Sequence, residues 1–193
     1  MDATKKQDLT RAVFLDRDGT INEEAGYIRT LQDLKIYPWT IEAISHINAM
    51  GMLAVVVSNQ SGVARAFFDE AFVGAVHDRI REELALQGAR IDRFYYCPHH
   101  PTEGRAPYRS DCDCRKPKPG LLLRAARELS IELSGSYMIG DSLRDILAAK
   151  ACGVKALLVR TGYGKNVSDT TAAIHVADDL LEAVKWIART KKR

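Results

Sequence analysis

Short apolar runs alternate with helical patterns along most of the chain. The runs cover residues 12–15, 53–57, 91–96, 137–139, 156–159 and 174–177, and several are continuous and rich in β-branched side chains. Continuous runs of this kind are typical of strands that are buried on both faces. Between them, apolar residues recur three and four positions apart, as in Ile41, Ile44 and Ile47. This alternation predicts a parallel sheet with helices on both faces.

Helix boundaries in the sequence agree with this pattern. Residues that favour helix starts precede three of the helical segments, and glycines follow three: Asp69, Pro119 and Ser142 at the starts, and Gly51, Gly88 and Gly153 at the ends. We therefore expect a three-layer α/β/α, Rossmann-like domain that spans residues 1–193. The stretch 97–118 has no hydrophobic period and is rich in Pro, Cys, His and Arg. A loop of that length in a compact domain is usually functional or held in place by a ligand.

Chemically active side chains follow four of the predicted strands. They are Asp16-Arg17-Asp18-Gly19-Thr20 after the first, Ser58-Asn59-Gln60-Ser61 after the second, Arg115-Lys116 beyond the third, and Gly140-Asp141 after the fourth. Ligands of open parallel sheets bind beyond the carboxyl ends of the strands. Acids, hydroxyls and a lysine are therefore expected to converge on one edge of the sheet.

The carboxylates of this edge favour phosphoryl chemistry. Asp16, Asp18 and Asp141 would repel one another without a cation, and hard oxygen ligands suit Mg²⁺, which also binds phosphate oxygens. Lys116 would offer a positive charge to a phosphoryl group, and Ser58 a hydroxyl. A single Asp-x-Asp-Gly is weak evidence because Asp and Gly are common in turns. Four elements in order, each at a strand end, are far more specific.

These four motifs resemble those of the haloacid-dehalogenase (HAD) superfamily of aspartyl phosphatases, over nearly the full length of the chain. The resemblance implies that Asp16 is the nucleophile, that Asp18 is the general acid and base, and that Ser58 and Lys116 hold the phosphoryl group. It also implies a Mg²⁺ bound by Asp16, by the backbone carbonyl of Asp18 and by Asp141. Asp145 either assists the metal site from behind or is a first-turn acid favoured by the helix dipole.

Two pairs of closely spaced Cys and His residues in the irregular stretch predict a structural zinc site. Cys97-Pro98-His99 is followed by Cys112-Asp113-Cys114, and four such ligands suit tetrahedral Zn²⁺ with no open position. His100 could compete as a ligand, but the resemblance favours His99. Free thiols in a loop are the alternative. The remaining cysteine, Cys152, is expected in the core.

The spacing between the motifs leaves no room for a large cap domain, so we expect an open site. Within the superfamily, the chain resembles members that remove the 7-phosphate of a heptose 1,7-bisphosphate in nucleotide-activated heptose biosynthesis. Members that act on histidinol phosphate are the alternative. A DNA 3′-phosphatase and a non-catalytic, zinc-stabilised phosphate-binding module are less favoured. The resemblance implies these substrate contacts: Glu24, Ala25, Gly26, Tyr27, Asn59, Gln60, Ser61, Arg115 and Ser142, with Arg65 and Arg160 as weaker candidates.

Charge and composition limit the kinds of partner that the sequence predicts. The net charge is only +3, from 28 basic and 25 acidic residues, which is too small to predict nucleic-acid binding. The basic end, Lys191-Lys192-Arg193, is expected to be a solvated tail. The polar N-terminus predicts no signal peptide, and no stretch is apolar enough to span a membrane. We therefore expect a cytoplasmic monomer that acts on a small sugar bisphosphate.

Overall fold

The fold centres on a six-stranded parallel sheet. The computed structural model describes residues 9–190, so the basic run 191–193 and the polar segment 1–8 lie outside the described residues. The strands are β1 (Ala12–Leu15), β2 (Leu53–Asn59), β3 (Arg93–Cys97), β4 (Tyr137–Gly140), β5 (Lys155–Val159) and β6 (His175–Ala177). Their order is β3-β2-β1-β4-β5-β6, and every neighbouring pair is parallel.

Helices cover both faces of the sheet, which confirms the three-layer α/β/α prediction. They are α1 (Thr40–Ala49), α2 (Glu70–Ala85), α3 (Gly120–Leu129), α4 (Leu143–Ala151) and α5 (Leu180–Thr190). One apolar core joins α1, α2 and α5 to the sheet, and a second joins α3 and α4 to the opposite face. Strand β1 alternates between them, because Val13 and Leu15 enter the first core while Ala12 and Phe14 enter the second.

Two sequence-based expectations need correction. The third strand begins at Arg93, not Ile91, and extends to Cys97; Ile91 is buried in the connection that precedes it. The last helix, α5, was not predicted, although Leu180, Ala183, Val184 and Ile187 have helical spacing and are fully buried.

Helix α4 begins as the sequence predicts. Ser142 is its N-cap, and the Ser142 hydroxyl and backbone N–H both donate to one oxygen of Asp145, at 2.6 and 3.1 Å. This reciprocal capping box fixes the side chain of Asp145 at the start of the helix. The same side chain takes part in the site described below.

The loop between β3 and α3 is attached to α2 as well as to the sheet. The Glu70 carboxylate accepts hydrogen bonds from the Tyr96 hydroxyl at 2.6 Å and the Tyr108 hydroxyl at 2.7 Å. Tyr96 lies in β3 and Tyr108 in the loop, so Glu70 ties both to the first turn of α2. No cap domain interrupts the described residues. Within 9–190, none of the helices combines the length and apolar character needed to cross a bilayer.

Candidate active site

A pocket of about 280 Å³ lies beyond the carboxyl ends of the strands. It opens where the sheet order changes direction, between β1 and β4, which is the usual ligand position in such sheets. Most of the predicted site residues line it: Asp16, Asp18, Glu24, Gly26, Tyr27, Ser58, Asn59, Ser61, Arg115, Lys116, Asp141 and Ser142. Four motifs that are far apart in sequence therefore meet in one cavity.

Lys116 and Asp16 form the centre of this pocket. The Lys116 ammonium lies 2.9 Å from Asp16 Oδ1 and 2.6 Å from Asp145 Oδ1, and it donates to the Val57 carbonyl at 2.7 Å. Burial alone would lower the pKa of Lys116, but the charges of Asp145 and Asp16 raise it. The lysine is therefore a fixed cation beside Asp16. Asp145 has both oxygens engaged, one by Lys116 and one by the α4 cap, so its placement suits positioning the lysine.

The ionised forms of Asp16 and Asp141 are disfavoured in the absence of a cation. Burial, and then repulsion from Asp145, raises the pKa of Asp16 to about 7. Burial, and then repulsion from Asp16 and Asp145, raises the pKa of Asp141 to about 8. Carboxylate oxygens of these three residues lie within 4.8 Å of one another. A cation bound between Asp16 and Asp141 would remove this repulsion, so the donor set fits a hard divalent ion.

Gly19 allows the first motif to approach Asp141. Its φ is +80°, and a Cβ at this position would overlap the Asp141 carboxylate. On the other side, the Tyr163 backbone N–H donates to Asp141 Oδ2 at 2.7 Å. The Asp141 side chain is thus held between two backbone segments.

The Asp18 carboxylate has several donors around it. Arg17 Nη2 contacts Asp18 Oδ2 at 2.8 Å, and Asn22 Nδ2 donates to Oδ1 at 3.0 Å. Burial alone would raise the pKa of Asp18, but the Arg17 charge and the hydrogen bonds from Asn22 and Gln60 lower it. Arg17 itself is buried.

Asn59 connects the second motif to the third. Its Nδ2 donates to the Lys116 carbonyl, and its Oδ1 accepts from the Lys116 N–H, both at 3.0 Å. This paired contact positions the Lys116 backbone across a separation of 57 residues. Asn59 lines the pocket, but its amide is occupied by protein.

The pocket rim carries residues that sequence reasoning missed or ranked low. Arg65 lines it, as do His100, Arg144 and Tyr163, which were not predicted as substrate contacts. Tyr163 comes shortly after the carboxyl end of β5. Since ligands bind beyond such strand ends, this position could have identified it in the sequence. Arg144 lies in the first turn of α4, next to the predicted Ser142.

Three candidates lie elsewhere. Ala25 faces a separate shallow groove, and Gln60 is buried behind the pocket. Arg160 donates to the Gly164 and Val167 carbonyls at 2.9 and 2.6 Å, so it supports the loop after β5. None of the three is among the pocket-lining residues.

The Cys/His cluster has the geometry of a metal site. Cys97 Sγ lies 3.4 Å from Cys112 Sγ, and His99 Nδ1 lies 3.4 Å from Cys114 Sγ. All four ligand atoms fall within 4.8 Å of one another. His100 points elsewhere, since its Nδ1 accepts from the Glu103 N–H at 3.0 Å. The cluster can hold a metal ion such as zinc, and it lies directly before Arg115 and Lys116.

Comparison with known proteins places this site in a family. A family model described as HAD-hydrolase-like matches residues 113–183. The D-glycero-β-D-manno-heptose-1,7-bisphosphate 7-phosphatase of Pasteurella multocida is 41% identical over 95% of this chain and 100% of its own length. The chain belongs to the heptose bisphosphate phosphatase family of HAD hydrolases. The Escherichia coli K12 member is also 41% identical, over 94% of this chain and 95% of its own.

Solved structures agree with this family membership. The D,D-heptose 1,7-bisphosphate phosphatase of B. bronchiseptica, crystallised with magnesium and phosphate, superposes with a TM-score of 0.84 at 31% identity, covering 94% of this chain and 99% of its own. The heptose bisphosphate phosphatases are phosphomonoester hydrolases, and this chain is a phosphatase of the same kind.

Proposed function

We propose that this enzyme removes the 7-phosphate of D-glycero-D-manno-heptose 1,7-bisphosphate in a Mg²⁺-dependent reaction. The observation that carries the proposal is the pocket centre, where Lys116 lies 2.9 Å from Asp16 and Asp141 lies alongside. The names of the relatives support the choice of substrate.

Asp16 is the proposed nucleophile. One of its oxygens attacks phosphorus, the bond to the sugar oxygen breaks, and Asp18 gives that oxygen a proton. Water then attacks the phosphoryl group on Asp16, Asp18 takes its proton, and inorganic phosphate leaves. Lys116 and the Ser58 hydroxyl stabilise the transferring phosphoryl group.

Asp16, the Asp18 backbone carbonyl and Asp141 would hold the Mg²⁺. When bound, this ion supplies charge neutralisation for the anionic phosphate. Cys97, His99, Cys112 and Cys114 would hold a zinc ion, which would have a structural role because four protein ligands leave no open position.

The rim cations suit the remote phosphate of a bisphosphate. Arg115, Arg65 and Arg144 all line the same pocket as Asp16. The ring of His100 lies beside these cations and is neutral, because burial and then the charges of Arg65 and Arg115 lower its pKa. Its Nδ1 accepts from the Glu103 N–H at 3.0 Å, and its Nε2 lies 3.1 Å from Arg65 Nη2. A ring with Nδ1 as acceptor carries its proton on Nε2, so both Nε2–H and Arg65 are donors that an anion could accept from.

Phosphate release from three substrates tests the proposal. Heptose 1,7-bisphosphate, histidinol phosphate and a 3′-phosphorylated oligonucleotide are compared at equal enzyme, with Mg²⁺. The expected order has the highest kcat/KM for the heptose bisphosphate. Arg115→Met should raise KM for the bisphosphate, whereas Arg127→Met, on α3 outside the pocket, should not. A higher kcat/KM for histidinol phosphate would assign the enzyme to the alternative substrate.

We further propose that the chain acts as one domain, 1–193, with its metal-bound loop at 97–118. A monomer in the cytoplasm is the corresponding proposal for assembly and location. The clustered thiols support the location, since a reducing compartment keeps thiols free to bind a metal.

A further inference from the structure

Gln60 connects the two catalytic motifs from behind the pocket. It follows directly after β2 and is 4% exposed. Its backbone is fixed on both sides: the Gln60 N–H donates to the Cys97 carbonyl at 2.8 Å, and the Gln60 carbonyl accepts from the Val63 N–H at 3.2 Å. The side chain therefore projects from a rigid support.

The amide of Gln60 uses both of its donors and its acceptor. Nε2 donates to Asp18 Oδ2 at 2.8 Å and to Ser58 Oγ at 2.7 Å, and Oε1 accepts from Arg17 Nη2 at 3.0 Å. The partners fix which way the amide points. Arg17 has only donors, so it must face oxygen, and an ionised Asp18 has only acceptors, so it must face nitrogen.

This arrangement also determines the role of the Ser58 hydroxyl. Ser58 Oγ accepts from Gln60, and no other side-chain hydrogen bond of Ser58 occurs within residues 9–190. The hydroxyl proton of Ser58 is therefore free to be donated into the pocket, which Ser58 lines. A donor directed at the pocket is what an anionic phosphoryl oxygen requires.

We propose that Gln60 is a positioning residue that sets the orientation of the Asp18 carboxylate and the Ser58 hydroxyl together. It does not touch the substrate. The inference rests on the proposed function, in which Asp18 protonates the leaving oxygen. It replaces the expectation that Gln60 contacts the sugar.

A comparison of leaving groups separates this role from a merely structural one. An alkoxide from a sugar needs a proton when it leaves, whereas p-nitrophenolate leaves readily without one. A misplaced Asp18 should therefore slow the sugar phosphate much more than p-nitrophenyl phosphate. Positioned proton transfer contributes about 10²–10⁴-fold to a rate. We expect Gln60→Met to lower kcat/KM by about 10²-fold for the heptose bisphosphate and by less than about tenfold for p-nitrophenyl phosphate.

Two further variants keep the experiment decisive. Gln60→Glu keeps the shape and the acceptor for Arg17 but removes both Nε2 donors, so it should discriminate between substrates in the same direction even if Gln60→Met does not fold. Thr40→Val is the matched control: Thr40 is fully buried and donates one hydrogen bond, to the Ile21 carbonyl at 2.7 Å. Loss of the Thr40 hydrogen bond should change kcat/KM for the heptose bisphosphate and for p-nitrophenyl phosphate by the same factor.

The Ser58 arm has its own measurement. Inorganic phosphate should inhibit Ser58→Ala and Gln60→Met less strongly than it inhibits the wild type. The double variant should bind phosphate as strongly as Ser58→Ala alone, because Gln60 acts on phosphate through Ser58. Additive losses would overturn the coupling through Ser58. Equal losses on both substrates in the Gln60 variants would overturn the coupling through Asp18. If Asp18→Asn itself retained turnover of the heptose bisphosphate, the proposed mechanism would fail, and the role of Gln60 with it.

Discussion

His77 should make the stability of this protein depend on pH. It lies on the inner side of α2, 5% exposed, and its ring stacks on Phe94 with centroids 4.5 Å apart. Its Nε2 has no hydrogen-bond partner within the described residues. Burial, and then the nearby charge of Arg17, lowers the pKa of His77 from 6.5 to about 3, while Asp18 opposes and Arg81 adds to the shift.

The sign follows from which state binds the proton. Between pH 6.5 and about 3 the unfolded His77 is protonated and the folded His77 is neutral, so this contribution to the free energy of unfolding is complete above pH 6.5 and is lost as the pH falls. Each pH unit in this window costs about 1.4 kcal/mol. Between pH 7.5 and pH 5 the loss from this residue is therefore about 2 kcal/mol.

Urea unfolding of wild-type and His77→Phe protein at both pH values measures this contribution. Phe keeps an aromatic ring against Phe94 and has no group to protonate. The decrease in unfolding free energy from pH 7.5 to pH 5 should be about 2 kcal/mol smaller in His77→Phe. Thr40→Val is the control, since Thr40 is fully buried and has no group that titrates in this range, so it should leave the decrease unchanged. An equal decrease in wild type and His77→Phe would refute the argument. Zinc and Mg²⁺ concentrations are the same in every sample, so the pH dependence of metal binding is common to both proteins and cancels in the difference between them.

Four other outcomes are expected. Asp16→Asn should abolish turnover with an unchanged circular dichroism spectrum, and normal activity in the purified variant would contradict its role as nucleophile. Chelation should abolish activity and added Mg²⁺ should restore it, as followed by phosphate release. Gly19→Ala should displace Asp141 and raise the Mg²⁺ concentration needed for half-maximal activity; an unchanged requirement would argue against the close contact. Cys112→Ala should lose bound zinc, become sensitive to proteases between residues 97 and 118, and show a raised KM. Elemental analysis, limited proteolysis and kinetics check this last outcome.

Local patterns predicted most of the fold because buried parallel strands are continuous apolar runs. The helix start at Ser142 was predictable because an N-cap depends only on residues within one helical turn, whereas its bond with Asp145 emerged from the structure. The start of β3 was misplaced because Ile91 is as apolar as the strand and is buried without belonging to it. Helix α5 is not followed by a glycine, as α1, α2 and α4 are, and the spacing of its buried apolar residues marks it in the sequence.

The ends of the strands were enough to predict which residues gather at the site. The direction in which each side chain points after a strand could not be predicted in this way. Asn59 and Gln60 are neighbours in sequence, yet Asn59 holds the Lys116 backbone and Gln60 turns back towards Asp18. Only the packed structure distinguishes these directions, because both amides have the same chemistry. His100 and Tyr163 reach the pocket from loops whose path depends on contacts far away in sequence.

The carboxylates of the proposed mechanism are fixed at the ends of central strands, whereas the cations of the rim come from loops and from the first turn of a helix. The proposed mechanism therefore gives catalysis and selectivity different structural supports. Substitutions or insertions in the rim segments could change which phosphorylated compound is accepted while the reacting groups stay in place. A scaffold of this kind can acquire new substrates through changes at its periphery, without passing through an inactive ancestor.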